Sequence, residues 1–312
     1  MALASRNILA LREMGKDDIV TILDLAQELK EILSREIKKV PTLRGKSVVT
    51  MFYENSTRTR MSFEMAAKML SADVTGFSAS TSSTQKGESL KDTILTISAM
   101  AADVFIIRHA ASGSAHFITK YTSARVINAG DGMHEHPTQG LLDMLTMRQN
   151  KESLQGLNVA IVGDIAHSRV ARSNVWGLVN MGAKVRLVGP KTLLPRDVHE
   201  LPVEIYIDLA EGIRGADVVN ILRIQLERQE AGLFPSLQEY AQTFGVNKNI
   251  LKLAAKDVLV MHPGPMNRGV EITPDVADGE FSVVTDQVTN GVAVRMALLY
   301  LLLGGSGDAA AH

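Results

Sequence analysis

The 312-residue chain contains no cysteine. Disulfides, thiol nucleophiles and cysteine-ligated zinc are therefore excluded, and the composition is compatible with a reducing cytoplasm. Net charge is −1 at pH 7. No global basic field exists to collect nucleic acid or an anionic membrane surface, so any anion site has to be local. Trp176 is the only tryptophan, which argues against an aromatic-rich binding surface. The most apolar stretch, VAVRMALLYLLLGG, is interrupted by Arg295 and is shorter than the ~20 apolar residues of a membrane span. The N-terminal stretch shows no apolar signal-peptide core, and a soluble, cytoplasmic protein is expected. No G-x-x-x-x-G-K-[ST] loop is present to indicate ATP use. The turn GDIAHSRVARS has one glycine where a dinucleotide fingerprint needs three. The side chains of Asp164, His167 and Arg169 would occupy the pyrophosphate space there, so NAD binding is rejected.

Hydrophobic residues make up 46% of the chain, enough for a large core that divides more naturally into two domains than one. Short β-branched runs predict strands at 47–53, 73–77, 103–107, 125–128, 158–162, 184–188, 204–207, 217–222 and 257–261. Their nearly continuous apolar character is that of parallel strands buried on both faces. Helical patterns separate them. In MSFEMAAKML, Phe63, Ala66, Ala67 and Leu70 fall on one helix face. Strand–helix alternation predicts an α/β fold of two doubly wound parallel-sheet domains, with the site in the cleft between them. The junction is expected near Gly132 to Thr138, with domains at 1–134 and 135–287. The last helical pattern, within 288–312, is read as returning to the first domain. The serine- and threonine-rich stretch SASTSSTQKGES reads as a mobile loop, ending in a capping-box variant, Ser89 to Asp92, that opens the next helix.

Ligands in open α/β sheets bind beyond the carboxyl ends of the strands. Polar residues gather at those ends. Ser56-Thr57-Arg58-Thr59-Arg60 follows strand 47–53, and Arg108-His109 follows 103–107. Gly130-Asp131-Gly132 and His134-Glu135-His136-Pro137 follow 125–128. In the second half, Asp164, His167 and Arg169 follow 158–162, Arg223 and Gln225 follow 217–222, and His262-Pro263-Gly264-Pro265 follows 257–261. Arginine recurs at these ends in both halves, which points to a cleft that recognises anions. Ser56 is placed to cap a helix whose first-turn N–H groups, with hydroxyls and an arginine fork, would make a phosphate site. An exposed helix start with ordinary surface arginines has the same spacing. His136 is read either as a packing or capping residue or as a neutral imidazole donating to a polarised carbonyl oxygen. His134 and His136 could form a metal pair, but no third ligand stands at fixed spacing, so no metal is expected. Lys86 reads by default as solvated, Arg169 and Arg223 as ion-pair partners or anion ligands, and His262 to Pro265 as a tight turn in which a cis bond could aim carbonyls into a site.

FYENSTRTRMSFE, IIRHA and NAGDGMHEHPTQGLLD together resemble the transcarbamoylase family, which carries S-T-R-T-R and H-P-T-Q motifs. TSSTQKGESL, VGDIAHSRVARS, ILRIQLER and HPGPMNRGVEI resemble segments of its aspartate-using branch, and the S-M-G and H-C-L-P segments of ornithine enzymes are missing. The resemblance runs over nearly the whole chain and implies carbamoyl transfer from carbamoyl phosphate to L-aspartate, a step toward pyrimidines. It implies phosphate contacts from Ser56, Thr57, Arg58, Thr59 and Arg108. Thr59, Arg108 and His136 would polarise the carbonyl, and Gln139 with the carbonyls of Gly264 and Pro265 would receive the amide. Arg169, Arg223 and Gln225 would hold aspartate. Ser82 and Lys86 would reach in from a neighbouring subunit, making a homotrimer with shared active sites and no cofactor. The resemblance leaves room for a regulatory chain or a dihydroorotase beside the trimer. Gly264 replaces a leucine found in many relatives, and Val170 a threonine found in some.

Overall fold

A computed structural model of the chain describes residues 3–78, 87–196, 198–225 and 236–304. All nine expected strands are present. The chain separates into two compact units, residues 1–145 with 289–312, and residues 146–288.

The first unit holds a four-stranded parallel sheet, β1 (Ser47–Phe52), β2 (Asp73–Ser78), β3 (Val104–His109) and β4 (Arg125–Asp131), in the order β2-β1-β3-β4. Successive side chains of a strand face opposite ways, so Val49, Met51, Phe105, Ile107 and Val126 share one face. They pack with Ile94 of helix α3 (Leu90–Ser98) and with Ala115 and Ile118 of α4 (Ser114–Ile118). Helix α1 (Lys16–Lys30) buries Ile19, Ile22, Leu23 and Ala26, an i, i+3, i+4, i+7 stripe. Helix α2 (Thr57–Met69) buries Thr59, Phe63, Ala66 and Ala67. Near the N-terminus, Ile8 bridges to Ile127 beside β4.

The second unit holds five parallel strands, β5 (Asn158–Val162), β6 (Lys184–Val188), β7 (Glu204–Tyr206), β8 (Val218–Ile221) and β9 (Leu259–Met261), in the order β7-β6-β5-β8-β9. Its core joins Ala160, Val162, Val219, Ile221 and Val260 to Leu209 and Ile213 of α7 (Leu209–Ile213) and to Tyr240 and Phe244 of α8 (Leu237–Phe244). Helix α6 (Arg169–Asn180) follows β5 directly.

Two helices are divided between the units. The dividing line falls at Leu145 within α5 (Pro137–Lys151), not ahead of the helix at 134/135. The reason is local: Thr138 in its first turn bonds to Arg295 of the first unit, while Lys151 in its last turn bonds to Asp257 of the second. Helix α11 (Val284–Leu303) is apolar almost all round, and from Thr289 onward belongs to the first unit. Such a helix has to be enclosed, and Val292 to Leu299 are all buried. Among the described residues no helix is long and apolar enough to cross a membrane.

Candidate active site

In each sheet the strand order reverses beside a central strand, at β1/β3 in the first unit and β5/β8 in the second. A doubly wound sheet opens a crevice at such a point, at the carboxyl ends of its strands. The expected site residues of each unit lie at those ends. A shallow groove lined by Lys39, Arg44, Ser71 and Asp73 lies at the opposite, amino-terminal end of β2 and contains none of them.

In the first unit, β1 pairs with β3 so that Phe52 stands opposite Arg108, and the chain continues through Ser56 into α2. Ser56 occupies the N-cap position with extended backbone, φ −156°, but its hydroxyl makes no capping hydrogen bond. The expected side-chain cap is therefore absent. By contrast, Ser89, Ser168, Asp208 and Ser236 each accept a backbone N–H at the head of their helices. The first N–H groups of a helix have no partner inside it, so α2 keeps its positive end available to an anion. Thr57 and Arg58 are exposed there, while Thr59 is 8% exposed on the inward face.

Arg108 is largely buried at the end of β3. Its Nε lies 3.4 Å from Glu54 Oε2, and its Nη1 donates to the carbonyl of Ala129 at 3.3 Å. Two anchors thus hold the guanidinium in place at the end of β3. The neighbouring His109 ring has its pKa pushed down by burial, so the positive charge of this sheet edge resides in the arginines.

β4 leads into a tight turn that presents His136. Buried Asp131 organises the turn. Its carboxylate accepts from Gly113 N at 2.7 Å, Asn128 Nδ2 at 2.8 Å and Glu135 N at 3.2 Å, and pairs with His134 Nδ1 at 3.1 Å. His136 is 4% exposed. Gln139, three residues on, donates from Nε2 to Asp143 Oδ1 at 3.0 Å. A carboxylate only accepts, so the amide nitrogen must face Asp143, which leaves the amide oxygen of Gln139 as an acceptor for an N–H donor.

His116 also approaches this turn, and with Asp131 and His134 forms a cluster of the size that could hold a metal ion. The hydrogen bonds already on Asp131 oppose that use, because they occupy the lone pairs that a cation would need. Glu13 accepts from or shares a proton with His116 Nε2 at 3.0 Å. The cluster reads as a set of histidine–carboxylate pairs.

In the second unit, Ser168 caps α6 and places Arg169 at its first position, 3% exposed. Gly163 sits at φ +127°, and a side chain there would lie 2.9 Å from the carbonyl of Leu222. That close approach brings the loop bearing Arg169 against the loop bearing Arg223 and Gln225, both half-buried. After β9, the Gly264–Pro265 bond is cis and Gly264 has φ +64°. The turn is fastened from behind: Gly264 N donates to His262 Nδ1 at 2.8 Å, so the Nε2–H of His262 donates to Glu271 Oε1 at 3.2 Å. Gln287 Oε1 accepts from His262 N.

The structure therefore gathers Ser56, Thr57, Arg58, Thr59, Arg108, His136 and Gln139 on one sheet edge. It gathers Arg169, Arg223, Gln225, Gly264 and Pro265 on the other. Ser82 and Lys86 lie outside the described residues, as does most of the serine-rich loop. Sequence reading missed the supporting set: Glu54, Asp143, Glu271, Gln287 and the Arg295–Thr138 contact. Only Arg295 announced itself, as the one charge in an apolar run.

Residues 6–149 match the model of the aspartate/ornithine carbamoyltransferase carbamoyl-P binding domain, and residues 155–302 match that of the Asp/Orn binding domain. The aspartate carbamoyltransferase catalytic subunit of Heliobacterium modesticaldum is 58% identical over 312 residues, all of both chains. That of Desulforamulus reducens is 61% identical over 300 residues, 96% of each. Among solved structures, aspartate transcarbamoylase from Trypanosoma cruzi in complex with N-(phosphonacetyl)-L-aspartic acid superposes with TM-score 0.87 at 30% identity, covering 95% of each chain. Ornithine carbamoyltransferase from Pyrococcus furiosus gives 0.86 at 30% identity, over 98% of this chain and 99% of its own. The chain belongs to the aspartate/ornithine carbamoyltransferase family.

Proposed function

We propose that this chain transfers the carbamoyl group of carbamoyl phosphate to the amine of L-aspartate, giving N-carbamoyl-L-aspartate and phosphate for pyrimidine synthesis. The observation that carries the donor half is the uncapped start of α2 beside the anchored Arg108 at the switch point of the first sheet. The domains read as a carbamoyl-phosphate-binding unit and an aspartate-binding unit. Ser56, Thr57, Arg58 and Thr59 take the phosphate, and Arg108 spans phosphate and carbonyl. One cation about 4 Å from one negative charge contributes roughly 4 kcal/mol at an effective dielectric near 20, before desolvation. The phosphate has to share Arg108 with Glu54. Gln139 accepts the carbamoyl NH2, helped by the carbonyls of Gly264 and Pro265. Thr59, Arg108 and His136 donate to the carbonyl oxygen as it gains charge.

Arg169 and Arg223, with Gln225, hold the two carboxylates of aspartate. Two fixed cations suit a dicarboxylate and repel the ammonium side chain of ornithine. High identity to relatives named aspartate carbamoyltransferase supports the same acceptor. The neutral amine attacks the carbonyl carbon, a C–N bond forms, and the C–O bond to phosphorus breaks. Phosphate leaves with the bonding electrons and takes the amine proton. Positioning and charge neutralisation supply the rate, which suits a site rich in arginine and poor in bases. Ser82 and Lys86 are assigned to a neighbouring subunit of a cytoplasmic homotrimer, and closure of their loop excludes water. A regulatory chain or dihydroorotase is a further partner to be sought by co-purification.

The test is phosphate release from carbamoyl phosphate with EDTA present, offering aspartate and ornithine in parallel. Release with aspartate alone, with carbamoyl-aspartate formed, is expected. Release with ornithine alone overturns the roles of Arg169 and Arg223, and release with neither overturns the assignment as a whole.

A further inference from the structure

Arg295 is a cation enclosed in the apolar helix α11. It is 4% exposed, and burial pushes its pKa down to about 10, which leaves it charged at neutral pH. No carboxylate is paired with it in the described structure. Its guanidinium carbon lies 4.9 Å from the ring centre of Phe63, a cation–π contact with α2. Nη1 donates to Ser62 Oγ at 2.9 Å, and Nη2 donates to Thr138 Oγ1 at 3.4 Å. Room for the guanidinium depends on Gly291, where an added methyl group would stand 2.6 Å from Nη1. A buried charge is costly, and this one lies between α2, which starts the phosphate site, and α5, which follows His136.

The direction of the hydrogen bonds is informative. A guanidinium can only donate, so Thr138 Oγ1 accepts from Arg295. The hydroxyl has one proton of its own, and its other contact is His136 Nδ1 at 3.5 Å. The oxygen keeps a second lone pair, so geometry alone permits either direction, but the positive guanidinium polarises the hydroxyl toward donating, which favours an order running from Arg295 to Thr138 to His136. Both contacts are long, so their effect is on direction more than on strength. In a neutral imidazole one nitrogen accepts and the other carries the proton. We infer that Arg295 and Thr138 are positioning residues that fix His136 as the Nε2–H tautomer, with Nδ1 as acceptor. That tautomer presents an N–H to the carbonyl oxygen of the donor substrate, so the inference deepens the role given to His136 under the proposed function and rests on it. Ser62 and Phe63 hold the other side of Arg295 still.

The experiment is 15N NMR of the intact enzyme labelled on histidine, with the His136 signals identified by their loss in His136→Gln. In the unsubstituted enzyme Nδ1 is expected at the shift of an unprotonated ring nitrogen and Nε2 at that of a protonated one. Thr138→Val keeps the shape and removes the hydroxyl. It is expected to give a mixture of tautomers and about a tenfold lower kcat, with carbamoyl-phosphate affinity changed less than twofold. Thr138→Ser restores both. Arg295→Met should reproduce the tautomer mixture. If it does not fold, the Thr138 pair carries the test alone. A protonated Nδ1 in the unsubstituted enzyme overturns the inference, and so do unchanged His136 shifts in Thr138→Val. Shifted tautomers with unchanged kcat uphold the wiring and overturn the role of His136 in the reaction.

Discussion

Asp131→Asn tests how the turn that carries His136 is held. The carboxylate accepts from four groups: Gly113 N, Asn128 Nδ2, Glu135 N and His134 Nδ1. An asparagine has the same shape but only one acceptor oxygen, with two lone pairs. At least two of the four donors lose their acceptor, and the new NH2 group faces one of them. Gly113 N and Glu135 N bond to different oxygens, so one backbone donor loses its acceptor, and at about 1.5–3 kcal/mol for a hydrogen bond to a charged group the backbone part of the loss is about 1.5–3 kcal/mol. The His134 share is smaller, about 1 kcal/mol, because that ring is a third exposed and screened by solvent. For a chain of this size each kcal/mol lowers Tm by roughly 2–4 °C, which predicts a fall of roughly 10 °C. The loss also has a pH signature. Burial acts to raise the Asp131 pKa, but the hydrogen bonds from His134 and Asn128 outweigh it and hold the pKa low, so its contribution is present above the ordinary carboxylate range and is lost as pH falls through the lowered value. The His134 pKa is raised, chiefly by its bond to Asp131 and also by the charges of Glu135 and Glu13. Its contribution is complete below 6.5 and is lost as pH rises through the raised value. The stability difference between the two proteins, from thermal melts at pH 5 to 9, should therefore be largest on the acid side and narrow above neutrality. A difference under 1 kcal/mol, or one that grows with pH, refutes this account of the turn.

Three further outcomes follow from the site. Arg58→Ala should abolish binding of carbamoyl phosphate in calorimetry, and near-normal affinity would remove α2 from the phosphate site. Arg169→Ala and Arg223→Ala should each raise KM for aspartate at least a hundredfold, about 2.7 kcal/mol, while the affinity for inorganic phosphate stays within twofold; an equal loss of both would show a structural role. Lys86→Gln and His136→Ala subunits, each inactive, should recover partial activity when mixed, because intact halves of shared sites re-form. No recovery after subunit exchange has been verified by mass would argue against a shared site.

The architecture was legible because each strand is a short, almost uninterrupted apolar run. SVVTMF and NVAIV can be buried on both faces only in a parallel sheet covered by helices, and that fixes strand, helix and crossover together. The rule that ligands gather at the carboxyl ends of such strands then drew attention to the arginines and His136, and the structure places them at those ends. Less legible was what aims them. A serine before a helix predicts a cap, yet Ser56 leaves its helix uncapped, because a hydrogen bond of this kind depends on a rotamer and not on residue type. Glu54 stands in the sequence beside the motif, but its pairing with Arg108 exists only because β1 and β3 are neighbours in the sheet. Asp143 could have been read from Gln139, since i and i+4 meet on a helix. Arg295 could not: it is 157 residues from Thr138 and 233 from Ser62. Its single charge among apolar residues signalled a buried cation, and the fold supplied the partners. Residues that touch substrate must project from strand ends, where local sequence shows them. The residues that orient them lie wherever the chain happens to pass behind, and for that reason the supporting groups are scattered over α5, α11 and the loops around them, while the groups assigned to substrate fall into a few short motifs.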